Sequence, residues 1–135
     1  MQYIDANVFL RFLTRDVPEK AERVKALLEQ CQRGEVELVT SEAVIAELVY
    51  VLSSAKVYKL PRETVGAALL PLMSLKGLKL PNRAVLVRAL ELYVATPLDF
   101  VDALAVAEME HRQIGEIYSY DRHFDRIPGI TRLEP

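Results

Sequence analysis

Helical and β-patterned segments alternate along the whole chain, with no internal repeat and no low-complexity linker. Alternation of this kind restricts the chain to an α/β layer fold, with a mainly parallel central sheet and helices on both faces. At 135 residues a single domain over 1–135 is expected, large enough for a core without staples. Tyr3 and Ile4 read as the end of a buried first strand that stops at Asp5. Asn7 opens a helical run carrying Val8, Phe9, Phe12 and Leu13. Pro18 starts a second helix, with Ala21, Val24, Leu27, Leu28 and Cys31 on one face, and Gly34 ends it. Leu38 and Val39 centre a short strand, and Ser41 caps a helix expected to reach about Lys56. Pro61 opens a helix over 62–75, which Pro71 should kink or break late. A third strand is expected over 77–80, then a helix over 83–95 capped by Asn82. Asp99 caps a further helix through Gln113, ended by Gly115. Residues 116–120 read as a strand that delivers Asp121, and 127–133 as a short edge strand.

Composition removes several classes of function. Hydrophobic residues at 51% and charged residues at 27% suit a compact globule rather than a disordered chain. One Cys and two His allow neither a disulfide framework nor a zinc cluster. Cys31 falls on an apolar stripe, as a small core residue does. No apolar run approaches the ~20 residues that span a bilayer. The chain enters strand and helix directly, with no charged-then-apolar leader, so a reducing cytoplasm is the expected compartment. Seventeen basic against 19 acidic residues give a net charge of −2, which argues against non-specific coating of nucleic acid. A nucleic-acid enzyme remains open, because acids gathered around a metal would mask local basic patches in the total.

Four acids stand in unusual settings. Asp5 ends the first strand and faces a helix start, where open α/β sheets place their chemistry; a simple helix cap explains it equally well. Glu47 is the one charged residue between Glu42 and Lys56. Its helical neighbours Ala43, Val44, Tyr50 and Val51 are uncharged. A helix apolar nearly all round is expected to be buried, and a buried carboxylate needs a partner or a metal. A distant salt bridge or a rim position is the plainer alternative. Asp99 and Asp102 have the spacing of a helix cap and the third helical position. Asp102 can serve the helix dipole or project from the helix mouth into a cleft. Asp121 repeats the Asp5 logic at a second strand end, with Asp125 one turn later. Crowded carboxylates need raised pKa values or a counter-cation. Oxygen ligands without His or Cys point to Mg²⁺ or Mn²⁺, and such a site suits phosphodiester hydrolysis.

Four motifs carry a resemblance: Tyr3-Ile-Asp-Ala-Asn-Val-Phe-Leu10, Thr40-Ser-Glu-Ala-Val-Ile-Ala-Glu-Leu48, Leu98-Asp-Phe-Val-Asp-Ala-Leu-Ala-Val-Ala107 and Ile117-Tyr-Ser-Tyr-Asp-Arg-His-Phe-Asp125. In this order and spacing the chain resembles the PIN-domain nucleases, and among them the small VapC-type toxins of toxin–antitoxin systems. The resemblance implies a three-layer α/β/α fold and a metal-dependent endoribonuclease. Asp5 and Asp102 would be the most direct metal ligands, with Glu47 and Asp121 completing the shell. Asn7 and Ser41 match polar positions that steady Asp5 in such sites, while Asp99 is kept as a cap. It further implies a homodimer and an antitoxin peptide lying across the cleft. Arg11, Arg15, Arg122 and His123 are candidate phosphate contacts, each also explicable as part of a solvated face. The segment 50–58 could offer an apolar groove to an antitoxin helix. Two other readings compete. One is a phosphotransferase or phosphatase with Asp5 as nucleophile, against which Asn7 stands where a second acid is expected. The other is a PIN-like module that binds RNA or protein without cutting.

Overall fold

The computed structural model describes all residues, 1–135. The chain begins with β1 (Gln2–Tyr3), α1 (Ala6–Thr14) and α2 (Pro18–Gln32), followed by β2 (Leu38–Val39). Then come α3 (Glu42–Ser53), α4 (Arg62–Met73) and β3 (Leu78–Lys79). The final part contains α5 (Arg83–Ala95), α6 (Phe100–His111), β4 (Glu116–Tyr118), a 3₁₀ turn at Arg122–Arg126 and β5 (Thr131–Leu133). Every strand pairing is parallel, with β1-β2-β3 forming one hydrogen-bonded sheet and β4-β5 another. Parallel neighbours require crossover connections, and the helix pairs α1–α2 and α3–α4 supply them between β1, β2 and β3. The expected parallel α/β architecture is therefore present, with its strands divided into two hydrogen-bonded groups.

The strands are short, so the core is built mostly by helices. Ile4, Leu38, Leu78 and Leu80 bring the sheet side chains inward. Phe9, Leu28, Ile45, Leu48, Leu69, Leu86, Leu90 and Val106 pack on them from α1 to α6. Cys31 is fully buried, as its place on the α2 stripe requires. Tyr3 departs from expectation: Ile4 is buried, but Tyr3 is 59% exposed. Its hydroxyl instead meets Ser41 Oγ at 2.8 Å, a bond across the β1–β2 edge.

Several boundaries follow local chemistry. Pro18 occupies the first position of α2, and Gly34 beyond its end takes φ +78°. The Glu35 amide donates to the Gln30 carbonyl at 3.0 Å, closing the helix end. Other ends differ from the sequence reading. α4 runs through Pro71 and stops two residues later, at Met73; a proline so near the end forfeits one ladder bond without opening a long gap. α3 ends at Ser53, and the Lys59 amide reaches back to the Ser54 carbonyl in the turn that follows. Asn82 precedes α5 with φ +57° and makes no side-chain cap bond, so it serves as a left-handed turn residue. α6 is closed by Gln113 at φ +57° rather than by Gly115.

Gly77 is required by space. A Cβ there would lie 2.5 Å from both the Cys31 and Val36 carbonyl oxygens, which are backbone atoms with little freedom to move. The Gly77 amide donates to Cys31 O at 3.0 Å, and its own carbonyl accepts from the Leu38 amide at 2.9 Å. Gly77→Ala is expected to destabilise the protein by about 2 kcal/mol, as overpacking a fixed contact does. Urea unfolding checks this; an unchanged midpoint would mean that the α2–β3 junction yields freely.

Candidate active site

The first acid sits where chain direction changes. Asp5 follows β1 with extended backbone, and its Oδ1 accepts the Val8 amide at 3.2 Å, capping α1. Helix capping and a further role for the other oxygen are compatible, since only one carboxylate oxygen is engaged. Thr40 fixes the preceding residue: its Oγ1 donates to the Ile4 carbonyl at 2.9 Å. Thr40 is 1% exposed, so this bond pins the β1 end against β2. Sequence reasoning missed this role, although a polar residue ending an apolar strand was the available signal. Ser41 does not touch Asp5. Its Oγ accepts the Val44 amide at 3.4 Å, capping α3, and meets the Tyr3 hydroxyl. Asn7 does not bond Asp5 either; it lines a groove with residues of α1 and α2.

A second acidic group gathers at the mouth of α6. Asp99 caps the helix, its Oδ1 accepting the Asp102 amide at 2.9 Å. Asp102 is half-buried. Burial, then the negative charges of Asp99 and Asp121, push its carboxyl above the usual carboxylate range. Asp121 is driven the opposite way. The His123 amide donates to its Oδ1 at 2.9 Å, and the His123 ring nitrogen lies 2.8 Å from the same atom. Donors favour the ionised form, so the carboxyl of Asp121 is lowered, first by the His123 amide and then by the imidazole. Ser119 adds order by accepting the Asp121 amide at 3.0 Å. Of these two carboxyls, Asp102 therefore retains a proton to higher pH and Asp121 loses it first.

Glu47 corrects the sequence reading. It is exposed, on an α3 stripe with Ala43 and Tyr50 that faces away from the core. Four uncharged helical neighbours point to burial in the sequence, but two of them, Ala43 and Tyr50, are themselves exposed, since alanine and tyrosine tolerate solvent. Neither Glu47 nor Asp5 is hydrogen-bonded to the Asp99, Asp102 and Asp121 group, and no three His, Cys, Asp or Glu side chains converge closely enough to hold an ion. As donors the carboxylates suit a hard divalent cation, and such a cation would offset the charges of Asp99 and Asp121 that, after burial, raise Asp102.

The remaining candidates separate. Asp125 pairs with Arg132 at 2.9 Å and belongs to the β5 surface rather than the acidic group. Arg11 pairs with Asp16 at 2.6 Å and Arg15 with Glu22 at 2.5 Å, so both are engaged as surface ion pairs. Arg122 is exposed beside Asp121, and His123 is committed to Asp121. Asp99 also lines a mainly apolar groove of about 430 Å³, with Ala46, Tyr50, Tyr93, Phe100 and Val101 among others. Tyr50 is 74% and Val101 66% exposed.

Parallel strands joined by crossover helices, with Asp5 and Asp121 following two of the strands, make this an α/β domain. The PIN domain family matches residues 2–130, and the chain belongs to that family. Among its relatives are VapC ribonucleases. One from Aquifex aeolicus is 27% identical, over all of this chain and 97% of its own length. A VapC ribonuclease of Mycobacterium bovis and ribonuclease VapC13 of Mycobacterium tuberculosis are each 30% identical, over 98% of this chain and 99% of theirs. No helix is long and apolar enough to cross a membrane.

Proposed function

We propose that the protein is a ribonuclease of the VapC kind, hydrolysing RNA phosphodiester bonds with Mg²⁺ or Mn²⁺ held by Asp5, Asp102 and Asp121, and with Glu47 completing the shell or positioning water. The observation that carries this reading is the alignment of nearly the whole chain with VapC ribonucleases, supported by the α6 mouth, where burial and then the charges of Asp99 and Asp121 raise the carboxyl of Asp102. A bound divalent ion would lower the pKa of a coordinated water and offset charge on the phosphoryl oxygens. The chain's own residues do the rest. Thr40 and the α1 cap hold Asp5 at the strand end. Asp99 aligns the first turn of α6 and so the backbone of Asp102. His123 keeps Asp121 ionised and ready to act as a ligand.

In this reading the protein acts in the cytoplasm, where a single buried thiol stays reduced and RNA is at hand. A homodimer and a cognate antitoxin peptide complete it, with the apolar groove beside Tyr50 and Val101 as the surface that either would cover. A second reading rests on the finding that no three acids stand close enough to share an ion: a PIN-like module that binds RNA without cutting it.

Mn²⁺ titration followed by melting temperature is the first test. The ion is expected to stabilise wild type by about 2–3 kcal/mol near 100 times its Kd, and to stabilise Asp5→Asn much less. Cleavage of single-stranded RNA should then be abolished by EDTA and by the same substitution. Activity that survives both would sink the metal mechanism. Tight RNA binding with no cleavage across a broad substrate panel would favour the second reading.

A further inference from the structure

We infer that the groove between α1 and α2 is a docking site for the sugar-phosphate backbone of single-stranded RNA, held by Lys20 and Arg23 opposite Asn7. The groove encloses about 410 Å³, lined by Asn7, Val8, Arg11, Lys20, Arg23 and Val24. Three of those six residues are cationic and none is acidic, in a chain whose acids outnumber its bases by 19 to 17. Arg11 is neutralised by Asp16 at 2.6 Å. Lys20 and Arg23 are exposed and enter no ion pair. Glu19, one turn before Arg23 on α2, forms no ion pair with it, and Glu22 is held by Arg15 at 2.5 Å. Three positions apart on α2, the two cations project from one face into the groove.

Position and chemistry both favour RNA backbone over an acidic peptide. Asn7 lies two residues beyond Asp5, so the groove opens beside the acidic end of β1. A strand whose phosphates sit on Lys20 and Arg23 is thereby led toward the carboxylates. Those carboxylates repel a polyanion, and a separate cationic foothold offsets that repulsion without neutralising the acids. Val8 and Val24 supply the only apolar lining, too little to seat the side chains of a peptide. One ammonium, one guanidinium and one amide suit a repeating anionic backbone.

This inference rests on the ribonuclease reading, and the test separates the two. Fluorescence anisotropy follows a labelled single-stranded RNA on the Asp5→Asn background at several salt concentrations. Lys20→Gln with Arg23→Gln is expected to weaken binding and to flatten the log–log salt slope by about 1.4, since each single-strand phosphate contact contributes about 0.7. In the otherwise unaltered protein the same pair should raise KM more than it lowers kcat. Lys25→Gln with Lys76→Gln removes equal charge from exposed positions outside the groove and should leave the slope unchanged. Melting curves confirm that all variants are folded. Equal slopes and equal KM for the two pairs would overturn the proposal while leaving metal-dependent cleavage intact. Flattening confined to the groove pair, in a protein that never cleaves RNA, would support the docking site and remove the nuclease reading. Intact RNA binding with lost binding of poly-L-glutamate would assign the groove to an acidic protein segment and overturn the proposal.

Discussion

Arg62→Ala is expected to lower the free energy of unfolding by about 3 kcal/mol, because several backbone carbonyls lose a charged donor together. Arg62 opens α4 and reaches across to the turn between α5 and α6. Its Nη1 donates to the Tyr93 carbonyl at 2.7 Å, the Thr96 carbonyl at 3.1 Å and the Leu98 carbonyl; Nη2 donates to Pro97 O at 3.3 Å. The guanidinium also lies 4.3 Å from the centre of the Tyr93 ring, and that ring meets Phe100 edge-on. A helix end leaves carbonyls without partners; here one side chain from another helix takes the Tyr93 carbonyl of α5 and three carbonyls of the turn beyond it. Arg62→Lys should recover less than half of the loss, since an ammonium cannot reproduce the planar fork or its stacking. The consequence extends to the site. The clasped turn leads directly into Asp99 and Asp102, so Mn²⁺ should stabilise Arg62→Ala less than wild type. A loss below about 0.5 kcal/mol in urea would mean that water replaces the guanidinium without cost.

Asp102→Asn is expected to separate stability from activity. Cleavage should fall at least about 100-fold, as loss of a carboxylate next to a metal does. The metal-free protein should become more stable at neutral pH, by about 0.5–1 kcal/mol, because one member of a crowded carboxylate group is gone. The sign follows from the direction of the shift. Asp102 has its carboxyl raised in the fold, so its favourable contribution is complete below the ordinary value of 3.8 and is lost as pH rises through the raised value. Asp121 is lowered, so its contribution is present above the ordinary value and is lost as pH falls through the lowered one. Melting temperature against pH should therefore decline less for Asp102→Asn than for wild type as pH climbs out of the acidic range. A variant that melts lower than wild type at neutral pH without metal would return Asp102 to the role of helix-dipole partner.

Helix starts were legible wherever one residue type suffices. Asp99 and Ser41 cap as read, Pro18 begins α2, and Gly34 adopts the positive φ that ends it. Helix ends depended on more than one residue. Gln113 takes the left-handed position two residues ahead of Gly115, because the Ile114 amide there reaches the Met109 carbonyl at 2.8 Å. Site residues were legible by type and position in the chain, and much less by environment. Glu47 lies on an exposed stripe; Asn7 faces α2; Ser41 serves Tyr3 and α3; Asp125 serves Arg132. Each carries an oxygen suited to an acidic centre, and only packing reveals which way that oxygen is turned.

Sequence alone determined the alternation of elements, the parallel pairing it requires and the identity of the acids at their ends. Those depend on periodicity, caps and chain direction, which are properties of neighbouring residues. Tertiary structure decided which charges remain free. Lys20 and Arg23 remain unpaired, whereas Arg11 and Arg15 engage Asp16 and Glu22. Asp102 is raised because packing half-buries it and sets it near the charges of Asp99 and Asp121. Arg62 binds an α5 end 31 residues away in sequence. Charge acts through space and burial rather than along the chain, so its consequences became definite only when the helices were packed.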